Sequence, residues 1–290
     1  MNQRWRHALV TRLESTSRLV DTERGPIEIS EAGEGRPILF VHGAPGGCEL
    51  GLLIARQFPE PGVRWVSPSR PGYLRTPLTV ASDLPDQADA LAGLLDALGI
   101  ERVPVLAHST GGAVALHFAA RHPGRCAALA IGAGVSRPLS SARALRLAAT
   151  SLPPLIAAAE LPGHGSAWVL RRIARAVARI RPGGRTPHQL AALPELTESI
   201  LPTDLRAPGL INDILQLAKL APLPYREVRC PLFLVHGTGD LVVPVAHSRL
   251  TVKHLPSTPL RLVPGGQHHA LYVLSAARRA EILDFLLRAA

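Results

Sequence analysis

Short apolar runs that end in glycine-rich or proline-rich turns alternate along this chain with longer stretches of helical spacing. Six such runs occupy residues 37–41, 63–66, 103–107, 126–131, 231–235 and 260–263. Most of them are apolar at consecutive positions, which predicts strands buried on both faces of a sheet. Because strand-like and helix-like stretches alternate, we expect an α/β fold with a mostly parallel central sheet and helices on both of its faces.

Three stretches between or after these runs have a helical pattern. They cover residues 86–98, 110–120 and 271–287. Gly99 follows the first stretch and suits a left-handed helix cap, because it has no Cβ. Residues 110–120 are nearly all small or apolar, which predicts a helix enclosed by protein on all sides.

The pattern changes between residues 137 and 226, where no strand-like run occurs. Helix-like stretches at residues 166–180 and 210–220 are separated here by proline and glycine. We therefore expect residues 137–226 to form a helical cap that is inserted between two strands. The α/β core would then consist of residues 1–136 and 227–290.

The charge of the chain is strongly positive, with 32 basic and 22 acidic residues and a formal net charge of +10. Such an excess of positive charge first suggests a nucleic-acid or anionic-membrane partner. However, most of the excess is local: residues 137–226 hold 12 basic and 5 acidic residues (+7), and the rest of the chain holds 20 basic and 17 acidic residues (+3). Only 4% of the chain is aromatic, which leaves few side chains for stacking on bases. We therefore expect no nucleic-acid partner. Four arginines of the cap fall mostly on one helical face, which is more typical of a solvated surface than of an anion site: Arg171, Arg172, Arg175 and Arg179.

The sequence contains no run of 18 apolar residues and no apolar run of signal-peptide length near the N-terminus. We therefore expect a cytoplasmic protein without stable membrane association. Its three cysteines, Cys48, Cys126 and Cys230, are odd in number and far apart. This argues against a disulfide framework or a zinc site and favours reduced, buried thiols.

Ser109 lies between a strand-like run and a helix-like stretch, in the sequence Val-Leu-Ala-His-Ser-Thr-Gly-Gly. A sharp strand-to-helix turn can expose a serine when the residues two before and two after it are small. Gly111 meets this need fully, and Ala107 adds one methyl group. The N–H groups at the start of the helix also favour developing negative charge. This pattern favours Ser109 as a nucleophile; the alternative is a serine that only caps the helix.

A serine nucleophile needs N–H donors for the oxyanion that forms on its substrate. The Thr110 N–H follows the nucleophile directly. The turn His-Gly-Ala-Pro-Gly at residues 42–46 follows the first strand-like run, and within it Pro45 has no N–H whereas Ala44 has one. Ala44 and Thr110 are therefore the candidate donors, and we expect His42 to pack within the turn. The alternative is a tight connection without a role in binding.

The base and the acid are expected on loops that follow later strands. Residues 264–269 follow the last strand-like run and contain the adjacent His268 and His269, one of which should face Ser109. Asp240 follows another run after a glycine-rich turn, where a lone aspartate is alternatively a turn residue. The chain order of serine, acid and histidine makes the combined pattern stronger than any of its members.

With these motifs, residues 18–287, apart from the inserted segment, resemble serine hydrolases of the α/β-hydrolase superfamily. The resemblance implies an α/β-hydrolase fold, with Asp240 as the acid and His268 rather than His269 as the base. Some relatives carry the acid one strand earlier, but residues 132–136 contain no carboxylate. Residues 69–76 also resemble a loop of ester-cleaving, epoxide hydrolase-like and proline iminopeptidase-like members. Such an enzyme uses no cofactor.

The resemblance implies a serine hydrolase that cleaves an ester or related acyl bond of a small molecule. The alanine, leucine and proline content of the cap predicts an apolar pocket. The positive charge of the cap leaves an ester with an anionic group as an alternative substrate. The same three residues would serve carbon–carbon bond hydrolysis, lactone opening, acyl transfer or cofactor-free perhydrolysis. A non-catalytic ligand-binding protein of the same fold is a further alternative. The oligomeric state is left open.

Overall fold

The computed structural model of the protein describes residues 3–139 and 201–289. In this part of the chain, one eight-stranded sheet has the order β1-β2-β4-β3-β5-β6-β7-β8. The β1–β2 and β2–β4 pairs are antiparallel, and all other neighbours are parallel. The strands are β1 Arg18–Thr22, β2 Gly25–Ala32, β3 Arg36–Val41, β4 Val63–Pro68, β5 Val103–His108, β6 Cys126–Gly132, β7 Leu232–Gly237 and β8 Leu260–Val263.

All six strand-like runs of the sequence form strands, so the predicted parallel part of the sheet is confirmed. The hairpin of β1 and β2 was not predicted from the sequence. Its strands lie at one edge of the sheet, where β1 buries only one of its five residues. A strand of this kind has too few consecutive apolar residues to be recognised by the pattern of a fully buried strand.

Helices cover both faces of the sheet, as predicted. On one face, α3 and α4 pack into a cluster with apolar residues of the sheet, and on the other face α2 and α7 pack into a second cluster. The helices of the described residues are α1 Gln3–Ser15, α2 Glu49–Gln57, α3 Leu84–Ala97, α4 Thr110–Arg121, α5 Ala207–Ala218, α6 Ala246–His254 and α7 Ala276–Arg288. None of them is long and apolar enough to cross a membrane.

The helix boundaries follow local chemistry. Gly99 has a φ of +65°, which is the left-handed cap expected after α3. The expected helix at residues 271–287 begins later, because residues 270–273 form a 3₁₀ turn and the Ser275 side chain caps α7 at the Arg278 N–H. Helix α4 is buried along most of its length, as its composition predicted.

Most of the predicted cap lies outside the described residues, including the expected helix at residues 166–180 and its four arginines. The described part of that segment contains α5, close to the helix expected at residues 210–220. Leu210 of α5 is buried against Ala44 and Tyr73. The segment that was predicted to form a cap therefore contacts the turn after β3.

The three cysteines carry free thiols, but the expectation that all are buried is wrong for Cys230, which is half-buried. The sulfur atoms of Cys126 and Cys230 lie 3.6 Å apart, although the residues are distant in sequence. They meet because β6 and β7 are parallel neighbours and these residues stand at the same end of the sheet.

Candidate active site

The loops that carry the predicted functional residues meet at the carboxyl edge of the parallel strands. The turn at residues 42–46 follows β3, Ser109 follows β5, Asp240 follows β7 and His268 follows β8. These strands run in one direction, so their ends share one edge, which is where open α/β sheets bind ligands. The sheet topology therefore brings together residues that are up to about two hundred positions apart in the chain.

Ser109 stands on a sharp turn between β5 and α4. Its φ of 55° and ψ of −121° are rarely adopted by residues with a Cβ, and no hydrogen bond of its side chain caps α4. Its Oγ instead lies 3.0 Å from Nε2 of His268. The reading of Ser109 as a simple helix cap is therefore wrong.

Close approach of backbone segments explains the small residues around Ser109. A Cβ on Gly111 would lie 2.4 Å from the Val41 carbonyl oxygen, and a Cβ on Gly43 would lie 2.8 Å from the Ser109 Cβ. Ala107, by contrast, is fully buried and its methyl group belongs to the apolar cluster on the α3 and α4 side. The turn thus demands glycine two residues after the serine but accepts alanine two residues before it.

His268 connects Ser109 to Asp240. Its Nδ1 lies 2.8 Å from Oδ2 of Asp240, so that an Nδ1–H donor leaves Nε2 able to accept the serine proton. His269 is exposed and does not face Ser109; its ring lies beside His108, with the centroids 5.8 Å apart. The His108 Nε2 is 3.1 Å from the His268 carbonyl oxygen and links the serine turn to the histidine loop.

Asp240 is buried and fully partnered. Its Oδ1 accepts hydrogen bonds from the N–H groups of Val242 and Val243, both at 2.9 Å. Burial opposes its ionisation, but hydrogen bonds from His236 and His268 outweigh this and hold the pKa of Asp240 well below its usual range. The carboxylate is therefore ionised at neutral pH and can stabilise a positive charge on His268.

The turn after β3 is ordered by His42. The His42 Nδ1 lies 2.7 Å from the Gly43 carbonyl oxygen, and its Nε2 accepts the Arg70 N–H at 2.9 Å. Burial and the adjacent Arg70 lower the pKa of His42, so the ring is neutral. Both ring nitrogens are thus engaged within the turn, which agrees with the expected packing role.

The two candidate N–H donors lie on two different segments, the turn after β3 and the start of α4. Ala44 lies in the turn after β3 and is buried, and Thr110 is the first residue of α4. The first N–H groups of a helix have no acceptor within the helix, so the one on Thr110 can serve a ligand. The arrangement of a serine, a histidine within reach of it and these donors suits attack on an acyl carbon.

Three further buried residues at the site were not identified from the sequence. Arg70 hydrogen bonds to Asp213 of α5, and His236 has its Nε2 3.3 Å from Oδ2 of Asp240. Asp213 lies in the helix-like stretch at residues 210–220 and His236 stands four residues before Asp240, but neither position has a spacing that marks a role. Arg70 lies in the loop at residues 69–76, and no local pattern marks it as buried.

Comparison with known proteins agrees with this architecture. Residues 36–273 match the family described as the alpha/beta hydrolase fold. This match spans most of the chain, so the protein belongs to the α/β-hydrolase family, and the resemblance and fold class inferred from the sequence are confirmed.

Individual relatives cover nearly the whole chain. The solved α/β hydrolase fold protein from Nakamurella multipartita is 30% identical with a TM-score of 0.74, covering 93% of this chain and 98% of its own. An uncharacterized hydrolase, YcgS of Bacillus subtilis (strain 168), is 26% identical over 89% of this chain and 94% of its own length. The 2-hydroxy-6-oxo-6-phenylhexa-2,4-dienoate hydrolase of Burkholderia cepacia is 24% identical over 90% of this chain and 91% of its own.

Proposed function

We propose that the protein is a serine hydrolase that cleaves an ester or related acyl bond of a small, partly apolar molecule. The observation that carries this proposal is the hydrogen-bonded series from Ser109 Oγ to His268 Nε2, at 3.0 Å, and from His268 Nδ1 to Asp240, at 2.8 Å. These contacts match the requirements for activating a hydroxyl group: a base in reach of the nucleophile and an acid that orients the base.

In this mechanism, Ser109 Oγ attacks the acyl carbon while His268 Nε2 takes its proton. The oxyanion is bound by the N–H groups of Ala44 and Thr110. His268 then returns the proton to the leaving alcohol, and the C–O bond breaks to leave an acyl-enzyme. Water, deprotonated by His268, hydrolyses this intermediate and releases the acid. Asp240 stays ionised throughout, as its lowered pKa requires.

The apolar character of the substrate is argued from the surroundings of the candidate donors. Ala44, Tyr73 and Leu210 form a small apolar cluster, and Ile214 packs against it. In our proposal, a helical cap formed by residues 137–226 encloses the substrate on this side. An apolar acyl or alcohol group would be placed there out of contact with water.

The change of Ser109 to Ala tests the proposal. Losing the nucleophile should lower ester turnover by several orders of magnitude, as about 10⁶-fold losses for a catalytic serine indicate. Intact mass after treatment with a fluorophosphonate should rise by one phosphonyl group in the wild type and not in Ser109→Ala. Ser136→Ala is the matched control, because Ser136 is a buried serine whose Oγ donates to the His247 carbonyl oxygen at 2.8 Å. Labelling that persists in Ser109→Ala would contradict the proposal.

A second candidate is hydrolysis of a carbon–carbon bond, favoured by the similarity to the Burkholderia cepacia dienoate hydrolase. Both reactions need the same nucleophile, so mutagenesis of Ser109 does not separate them. The two reactions are separated by comparing kcat/KM for p-nitrophenyl esters with kcat/KM for a 2-hydroxy-6-oxo-dienoate. We expect the esters to be preferred, and a preference for the dienoate would favour the second candidate. Turnover of neither, with no fluorophosphonate labelling, would favour a ligand-binding protein.

A further inference from the structure

Arg70 is a buried cation at the centre of the site, only 1% exposed. Its Nε donates to the His42 carbonyl oxygen at 3.0 Å, and one terminal nitrogen donates to Thr110 Oγ1 at 3.1 Å. Both terminal nitrogens also donate to the carboxylate of Asp213, and one of them reaches Gln87 Oε1 at 3.0 Å. The guanidinium group is thus hydrogen-bonded in every direction in which it can donate.

These contacts join the two segments that carry the candidate oxyanion donors. His42 opens the turn that contains Ala44, and Arg70 holds it twice, through the His42 carbonyl oxygen and through a main-chain N–H to His42 Nε2. Thr110 is itself the other candidate donor, and Arg70 holds its side chain. One rigid, planar group thus links the two segments that carry the candidate donors.

The third contact of Arg70 reaches α5, in the segment that we propose as the cap. Asp213 is 1% exposed, pairs with Arg70 and accepts a hydrogen bond from the Tyr73 hydroxyl at 2.6 Å. Transfer of two charges out of water is costly, and an apolar packing of the same volume is often as stable or more so. A buried pair with this set of partners is better explained by a requirement for geometry than by a gain in stability.

We propose that Arg70 is a positioning residue of the oxyanion hole, which holds the Ala44 turn and Thr110 in register, and that Asp213 of α5 holds Arg70 in place. This inference rests on the proposed function. Arg70 touches neither the substrate nor Ser109 in this scheme, and it acts through His42 and Thr110. Loss of the guanidinium group should weaken binding of the transition state more than binding of the substrate.

Arg70→Lys tests the proposal, because lysine keeps the charge for Asp213 but cannot present the same fork to His42 and Thr110. We expect kcat for an ester to fall about 10- to 100-fold, with KM changed by less than about threefold. The affinity for a trifluoromethyl ketone, which forms an oxyanion adduct with the serine, should fall by the same factor as kcat/KM. Arg75→Lys is the control on the same loop, since Arg75 pairs with Glu28 away from the hole and should keep wild-type kinetics.

A purely structural role would give a different result. Wild-type kcat in Arg70→Lys, or a loss of kcat with unchanged affinity for the trifluoromethyl ketone, would overturn the proposal. If Arg70→Lys does not fold, Thr110→Val decides, because it removes the hydroxyl that Arg70 holds and keeps the N–H. We expect Thr110→Val to lower kcat and the ketone affinity together, and Thr110→Ser to recover a large part of both. Equal kcat in the valine and serine variants would overturn the proposal in that case.

The two proposals fail in distinguishable ways. If Ser109 is not the nucleophile, phosphonyl labelling is absent from the wild type or persists in Ser109→Ala, and that variant keeps its turnover. If only the role of Arg70 is wrong, the wild type is labelled at Ser109 and Arg70→Lys hydrolyses the ester with the kinetics of Arg75→Lys.

Discussion

At the scale of single residues, the site depends on how closely backbone segments approach each other. Gly111 faces the carbonyl oxygens of Val41 and His42, where a Cβ would lie at 2.4 and 2.5 Å. Ala107 faces the apolar interior, where its methyl group contributes to the core. The two small residues that flank Ser109 are therefore small for different reasons.

This difference gives a prediction for the two positions. Gly111→Ala should push the turn after β3 away from α4 and lower kcat by at least about 100-fold, since a displacement of about 1 Å can have that effect. Ala107→Gly removes a buried methyl group and adds flexibility to a strand, so it should lower the free energy of unfolding by about 1–2 kcal/mol. Its kcat should stay within a few-fold of the wild type. Urea unfolding measures the change in stability, and ester kinetics measure the change in kcat. A larger loss of kcat in Ala107→Gly than in Gly111→Ala would contradict this interpretation.

Among the elements, α3 and α4 are joined by an ion pair network between the middle of α3 and the C-terminal end of α4. Asp89 of α3 accepts two hydrogen bonds from Arg121 at 2.8 and 2.7 Å and lies 2.9 Å from His122 Nε2. The hydrogen bonds of Arg121 lower the pKa of Asp89 to about 2. This network holds the helix that follows Ser109 against its neighbour.

The lowered pKa predicts a pH dependence of stability. A depressed carboxyl pKa stabilises the folded state above the usual aspartate pKa, and this contribution is lost as the pH falls from about 4 towards about 2. Asp89→Asn should therefore cost about 1 kcal/mol at pH 6, a modest value because Arg121 is half-exposed, and progressively less in acid. Urea unfolding of both proteins from pH 6 to acid pH measures the difference. Asp96→Asn, which removes an exposed carboxylate of the same helix, is the control, and a constant cost of Asp89→Asn at every pH would contradict the prediction.

At the scale of the whole molecule, the net charge of +10 gives the protein a positive potential that does not depend on any single contact. Such a potential raises the local concentration of anionic substrates around the protein. It acts on the substrate before it reaches Ser109 and is screened by salt. A preference for anionic esters would therefore show itself as an effect of ionic strength.

We expect this effect for an ester that carries a free carboxylate, compared with its methyl-capped form. Its kcat/KM should fall several-fold between about 0.01 M and 1 M salt, as the Debye length shrinks from about 30 to about 3 Å. The neutral form should change little over the same range and serves as the control for general salt effects. Equal responses of the two esters would exclude steering by the net charge.

The sequence by itself determined the parallel part of the sheet, most of α3 and α4 and the loops that carry Ser109, Asp240 and His268. These features depend on local chemistry: apolar runs demand burial, and glycine and proline end helices and strands where they stand. It also placed Ala44 and Thr110 on the two turns that meet at the site. The edge hairpin was not predicted because β1 buries only one of its five residues and β2 buries the polar Glu28 and Ser30 beside apolar residues, so neither strand has a consecutive apolar run.

The partners of Arg70 and the buried residues around Ser109 became known only from the folded structure. The resemblance implied His268 as the base; in the fold its Nε2 lies 3.0 Å from Ser109 Oγ, and the rings of His268 and His269 both lie beside His108. The contact of Arg70 with Asp213 joins positions 143 residues apart. Contacts of this kind arise from the packing of distant segments, and no local pattern of residues encodes them.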